Sequence, residues 1–221
     1  MLEPKSDASV NVCGLIWMPA LVTLGITLLR LVGELAHWSP LFFNRAAGGG
    51  AAIIGISWLP FVFGPYFAIK LARLGEGGAI WKTAGLAVLG IVIMVAGMFL
   101  FAPQVKFPGK MILGILLIVL GPSLVTLGWP ALFKVLVAYG YAARIPVAVL
   151  MFFALRGHWG THYDAVPPNA SLPASFFGRY MYLAFVPQMV MWVAFTVLVG
   201  ALVGAVATAL VVRSKTSPAA V

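Results

Sequence analysis

The residues of this chain best suited to chemistry are His158, His162 and Asp164, which lie in the stretch RGHWGTHYD. Two imidazoles four residues apart on a helix can bind one metal ion, and a carboxylate can complete or orient such a set. Two glycines in the stretch disfavour a regular helix, and no HExxH motif supplies the glutamate base of a metalloprotease. We therefore treat the three residues as candidate metal ligands, with loop histidines at a membrane interface as the simpler interpretation.

Four further polar residues lie within or just after apolar runs: Arg144, Arg30, Glu34 and His37. Ionisable side chains inside a span are rare and either pair with a partner or mark a functional site. Arg30 and Glu34 are four residues apart near the end of a run, which favours a local salt bridge close to the interface. Arg144 lies near the middle of its run and requires a carbonyl, a water or an acid as its partner.

These polar residues would form one cluster if the ends of the first and fifth apolar runs met. Glu34 and His37 would then join His158, His162 and Asp164. The simpler expectation, which we favour, is that the two groups do not meet.

Composition assigns the chain to the membrane. Of its 221 residues, 62% are hydrophobic and 9% are charged, and the mean hydropathy is +1.06. A soluble domain carries about 25% charged residues, because its surface must be hydrated. Apolar stretches of near span length recur along the whole chain, as is typical of transmembrane helices.

The net charge of +9 does not indicate a nucleic-acid partner. Nucleic-acid-binding proteins cluster Lys and Arg on one face, whereas here the basic residues lie singly or in pairs at the ends of apolar runs. That distribution is typical of topology signals and of contacts with lipid head groups. We expect membrane lipids as partners and no nucleic acid. We also expect no cofactor, because neither a phosphate-binding loop nor a dinucleotide fingerprint is found.

The sequence predicts an all-α fold, a polytopic helical transmembrane bundle of about six spans that forms a single integral membrane domain over residues 1–221. The spans are predicted at 12–35, 51–74, 82–102, 111–128, 131–155 and 187–212, with a loop at 156–179. In an alternative with five spans, residues 131–144 form an interfacial amphipathic helix. The remainder, 145–155, would then be too short to cross, so we favour six.

Prolines predict breaks in two of the spans. Pro60 and Pro65 interrupt the second span, and broken helices can line transport sites, although prolines are also common in ordinary spans. Pro187 predicts a short interfacial turn that is separate from the last membrane helix. In the fifth span, Lys134 and Tyr141 are predicted to share the inward face of Arg144.

Small residues predict close helix packing. Gly90 and Gly97 in the third span, and glycines 114, 121 and 128 after the next turn, recur every seven residues and keep to one stripe of each helix. Gly200 and Gly204 form a GxxxG contact surface in the last span. This surface serves the fold internally or an oligomer, and we favour internal use.

The distribution of Lys and Arg predicts an orientation. Six spans place both termini on one side of the membrane, and that side receives seven basic residues against five on the other, with Arg30 and Arg144 set aside as intramembrane. By the excess of Lys and Arg, both termini are predicted to be cytoplasmic.

The stretches at 28–50 and 143–164 resemble small bacterial polytopic membrane proteins of uncharacterised function. The resemblance implies a bacterial inner-membrane setting. It implies no substrate and no site residues.

Three functions follow as hypotheses. The first is a non-enzymatic accessory or scaffold component of a membrane assembly, because the loops are small and packing residues are abundant. The second is a small transporter or channel that uses the proline-broken span 51–74 and Arg144. The third is a membrane metalloenzyme that uses the 156–164 loop.

Overall fold

The computed structural model describes residues 11–47, 53–102, 104–168, 170 and 172–216, with side chains up to residue 211. All regular secondary structure in these ranges is helical, which confirms the predicted all-α class. The α-helices are α1 (Val12–Leu35), α2 (Pro60–Arg73), α3 (Ile80–Phe99), α4 (Lys110–Ser123), α5 (Pro130–Gly157), α6 (Phe176–Tyr180) and α7 (Trp192–Thr216). A 3₁₀ turn, Leu124–Leu127, extends α4, and two π-helical segments, Met181–Phe185 and Pro187–Met191, join α6 to α7.

Five helical segments of the described chain are long and apolar enough to cross a membrane, as expected for a multi-pass membrane protein. They are Val12–Leu35, Ile80–Phe99, Lys110–Leu127, Pro130–Gly157 and Phe176–Val211. The outer faces of these segments carry large exposed hydrophobic side chains such as Ile112 and Leu116. In a bilayer, those faces contact acyl chains.

The second predicted span, 51–74, is longer than the helix that forms there. α2 begins at Pro60 and has 14 residues, so it is about 21 Å long, less than the roughly 30 Å of a hydrocarbon core. Pro60 occupies the first turn, where the missing donor has no intrahelical partner in any case. Residues 53–59 form turns, and residues 51–52 lie outside the described chain.

The predicted break at Pro187 is wrong. The helix runs without interruption from Phe176 to Val211, so the loop before it is shorter than the predicted 156–179. Its backbone widens into the two π-helical segments, and Pro187 is the first residue of the second one. A π-turn changes the hydrogen-bonding pattern of the ladder, so the missing donor of proline is accommodated without a chain break.

Glycines bring α3 and α4 into backbone contact, as the sevenfold spacing predicts. A Cβ atom added at Gly121 would lie 2.6 Å from the carbonyl oxygen of Gly90, and one added at Gly97 would lie 2.7 Å from that of Gly114. Seven residues after Gly121, a Cβ at Gly128 would lie 2.6 Å from Thr83 Oγ1. No larger side chain fits at these positions without displacing a helix.

The last span, which includes α7, lies at the centre of the bundle, where it contacts α2, α3 and α5. Gly200 and Gly204 are both buried; the backbone of Gly64 in α2 packs against them, and Leu136 in α5 also contacts Gly200. The GxxxG surface is thus used within the fold, and an oligomer formed through it would have to displace α2.

Helix α5 is continuous over 28 residues, so the alternative with an interfacial helix at 131–144 is wrong. The predicted inward face of α5 is only partly correct: Arg144 is buried, but Lys134 and Tyr141 are exposed. The buried stripe is centred nearer Leu136 and Ala143, which places Arg144 at its edge.

Helix directions place Glu34 and His162 at one end of the bundle. α1 and α5 run parallel, because Thr23 contacts Tyr139 and Glu34, near the end of α1, contacts His162 just after the end of α5. Both helices end where the connection 158–175 leads into α6. The turns at 53–59 that precede α2 lie at the same end.

Candidate functional site

Glu34, near the end of α1, is the centre of a buried hydrogen-bond network. Its side chain is fully buried, and its Oε1 accepts from Arg30 Nε at 2.7 Å and from His162 Nδ1 at 2.6 Å. The backbone N–H of His162 donates to Oε2 at 2.8 Å. Arg30 Nη2 also donates to the carbonyl of Asn44 at 2.9 Å. Both carboxylate oxygens of Glu34 therefore have donors.

The network is balanced in charge. A carboxylate oxygen only accepts, so the tautomer of His162 that donates from Nδ1 fits the short contact. Burial lowers the pKa of His162 below its usual range, although the hydrogen bond to Glu34 opposes that shift. A neutral His162 leaves one positive charge on Arg30 against one negative charge on Glu34.

Two neighbours of His162 hold the connection between α5 and α6 in place. Tyr163 Oη donates to the carbonyl of Thr27 in α1 at 3.1 Å, and burial raises the pKa of this phenol. Asp164 accepts from the backbone N–H groups of Gly160 and Thr161 at 2.9 Å and 2.7 Å and from Thr161 Oγ1 at 2.7 Å. The carboxylate of Asp164 thus closes a turn.

The other two histidines end helices. His37 and His158 adopt positive φ angles of 57° and 51°, the left-handed conformation that follows a helix C-terminus. After α1, the N–H of Trp38 bonds the carbonyl of Gly33, as in a Schellman motif, and Trp159 bonds Ala154 in the same way after α5. Both imidazoles are exposed.

The structure therefore brings together part of the set named from the sequence. Our expectation that the ends of the two runs do not meet is wrong, because Glu34 contacts His162 across 128 positions of sequence. His37 and His158 do not join them. Within the described residues no three His, Cys, Asp or Glu side chains are placed to hold a metal ion, so the metal-site hypothesis at His158, His162 and Asp164 finds no support there.

Arg144 lies at the middle of α5 in a very different setting. Its side chain is buried, with the residue 4% exposed, and its guanidinium stacks 4.5 Å from the ring centroid of Trp192. Nη1 is 3.4 Å from Gln188 Oε1, a long hydrogen bond, and Nε has no hydrogen-bond partner in the described part of the chain. Among the described residues no carboxylate lies within ion-pair distance of this charge.

A cavity of about 270 Å³ connects the two settings. Arg144 and Gln188 line one part of it, and Arg30 and His162 line another. The turn 55–57 before α2 and the second π-helical segment supply further wall. The cavity has the volume for a small ligand and the donors to bind an anion.

Sequence reasoning did not select Gln188, Trp192 or Tyr163, which complete the two settings. Gln188 had a usable signal, because it is a strongly polar side chain in the otherwise apolar run 180–212. Trp192 and Tyr163 had none, since aromatic residues are common throughout this chain.

Comparison of the chain with protein-family models, with curated proteins and with solved structures finds no match. The resemblance to small bacterial membrane proteins therefore stays a prediction.

Proposed function

We propose that the protein is a small membrane transporter that binds an anionic substrate at Arg144. One observation carries the proposal: a guanidinium at mid-helix depth lines a cavity and has no acid partner among the described residues. The transporter hypothesis from the sequence is thereby preferred to the other two.

The energetics of burial support an anionic ligand. Moving a charge out of water is costly unless it is paired and hydrogen-bonded. Trp192 offsets part of that cost through a cation–π contact, and Gln188 offsets a little more. An anion would remove the remaining cost of burial, because its oxygens would accept hydrogen bonds from Nε and the Nη atoms of Arg144.

The walls of the cavity include backbone that can rearrange. The turns at 53–59 take the place of the first part of a span, and irregular backbone at membrane depth occurs where it lines a cavity. The π-helical segment Pro187–Met191 also lines the cavity, and π-turns in long helices are frequent at functional sites. Movement of these two elements would open the site.

The competing hypotheses have less support. Gly200 and Gly204 pack inside the fold, so this small-residue surface is not exposed for a partner. In the 156–164 loop, His162 is hydrogen-bonded to Glu34, and Asp164 accepts a hydrogen bond within its own turn. We retain the bacterial inner membrane and cytoplasmic termini as part of the proposal, on the resemblance and on the excess of Lys and Arg.

The test is transport by purified protein in phosphatidylcholine vesicles. One arm measures uptake of radiolabelled phosphate and acetate, and the other measures movement of fluorescent phosphatidylglycerol between leaflets by dithionite reduction. We expect at least one arm to exceed empty vesicles and to fall at least tenfold in Arg144→Gln. Arg156→Gln, an exposed arginine at the end of the same helix, should retain the wild-type rate. Equal rates for wild type and Arg144→Gln, or no flux in either arm, would overturn the proposal.

A further inference from the structure

We infer that the substrate is an anionic lipid of the surrounding bilayer, with its head group at Arg144 and an acyl chain in an adjoining apolar cleft. This inference rests on the proposed function and specifies the class of anion. It depends on the second cavity described below.

The apolar cleft lies between the α3–α4 hairpin and the π-helical part of the last span. Its volume is about 550 Å³, twice that of the cavity at Arg144. Its lining residues are almost entirely apolar and include Met98, Phe101, Met111, Ile115, Met181 and Val186. Such a surface offers few hydrogen bonds to a hydrophilic solute.

The cleft and the cavity share a border. Pro167, Leu183, Pro187 and Met191 line both of them. A molecule with its charged end at Arg144 could therefore lay an apolar chain past the π-helical segment into the cleft.

The two halves of this composite site match the two halves of an amphiphile. The cavity supplies the guanidinium, whose unpaired Nε would donate to a phosphate or carboxylate oxygen. In the cleft, methionine is recurrent, with Met98, Met111, Met181 and Met191 among its walls. Methionine is unbranched and flexible, so such walls adapt to a chain of many conformations.

A free inorganic anion would use only the first half of the site. The cleft would then hold a passing acyl chain without selecting its head group. A zwitterionic lipid would bring its own cation close to Arg144, where repulsion opposes binding. The arrangement therefore favours a lipid with a net negative head.

Native mass spectrometry of protein released from phosphatidylcholine nanodiscs containing a minority of phosphatidylglycerol tests the inference. We expect wild type to retain one phosphatidylglycerol, enriched at least tenfold over its share of the disc. Arg144→Gln should lose the enrichment. Ile115→Trp should also lose it by filling the cleft, whereas Ile112→Trp, on the exposed face of the same helix, should keep it.

A second probe, glycerol 3-phosphate, separates this inference from the proposed function, because it carries a comparable anionic head without a chain. If glycerol 3-phosphate stabilises wild type but not Arg144→Gln against heat, while no phosphatidylglycerol is enriched, the anion site stands and the lipid assignment is overturned. Enrichment that survives in Ile115→Trp, with that variant folded, would overturn the cleft as the chain site. If neither probe depends on Arg144, both proposals fail.

Discussion

Arg30 and Arg144 are both buried arginines in helices that can span a membrane, yet their surroundings differ in kind. Arg30 has a carboxylate at 2.7 Å and a carbonyl at 2.9 Å. Arg144 has an aromatic face and one long contact with a glutamine, and its Nε has no hydrogen-bond partner among the residues that the structure describes. The two line the same cavity from different sides.

On our proposal, the difference separates a structural charge from a functional one. The Arg30–Glu34–His162 network satisfies its groups and ties α1 to the connection after α5, so its loss should cost stability. The contacts of Arg144 with Trp192 and Gln188 offset only part of the free-energy cost of burying its charge. Natural proteins tolerate such local inconsistency chiefly at functional sites.

The largest effect is expected at Glu34. Glu34→Ala removes the carboxylate and leaves Arg30 buried without its acid, so the free energy of unfolding should fall by about 3–5 kcal/mol. Glu76→Ala, which removes an exposed carboxylate between α2 and α3, should change it by less than about 0.5 kcal/mol. Denaturant titration in detergent micelles measures both. Equal losses in the two variants would remove the structural role assigned to Glu34.

A smaller loss of stability is expected at Asp164, which closes the turn that contains His162 and so supports the Arg30–Glu34–His162 network. Asp164→Ala removes an acceptor of three hydrogen bonds and should lower the free energy of unfolding by about 2 kcal/mol. Asp164→Asn keeps one carbonyl oxygen and should lose less. Stabilisation by glycerol 3-phosphate should persist in both, and its disappearance would show that the two settings cannot be separated.

The smallest effect is the pH dependence that His162 contributes. Because burial holds its pKa below the usual value of about 6.5, the unfolded state binds this proton more readily than the folded state does. Stability from this group is therefore complete above about pH 6.5 and declines as the pH falls toward the folded pKa. His162→Gln keeps a donor but does not titrate, so the decline should flatten. Stability of the wild type that rises on acidification through this range would contradict the neutral assignment.

The sequence could predict what depends on helix geometry alone. Glycines seven residues apart must lie on one stripe, so close packing through Gly90 and through Gly121 follows from spacing, whereas their pairing with each other depends on how the two helices are placed. The contact of Glu34 with His162 does not follow, because it depends on how a loop folds back across 128 positions. The sequence could not predict the uninterrupted helix at Pro187 either, since π-turns have no periodic signal of their own. Arg144 could be selected by its depth in an apolar run, but that no acid of the described chain pairs with it only appears once the neighbours are placed.

Thermal unfolding of Arg144→Met in nanodiscs, with and without glycerol 3-phosphate, shows whether Arg144 is held for an anion. Methionine keeps an unbranched side chain of moderate length while removing the charge. If Arg144 is held for an anion, the variant melts no lower than wild type without the probe and loses all of the stabilisation that the probe gives wild type. If the variant instead melts as far below wild type as Glu34→Ala does, or keeps the full stabilisation, Arg144 is a structural residue and the account is contradicted.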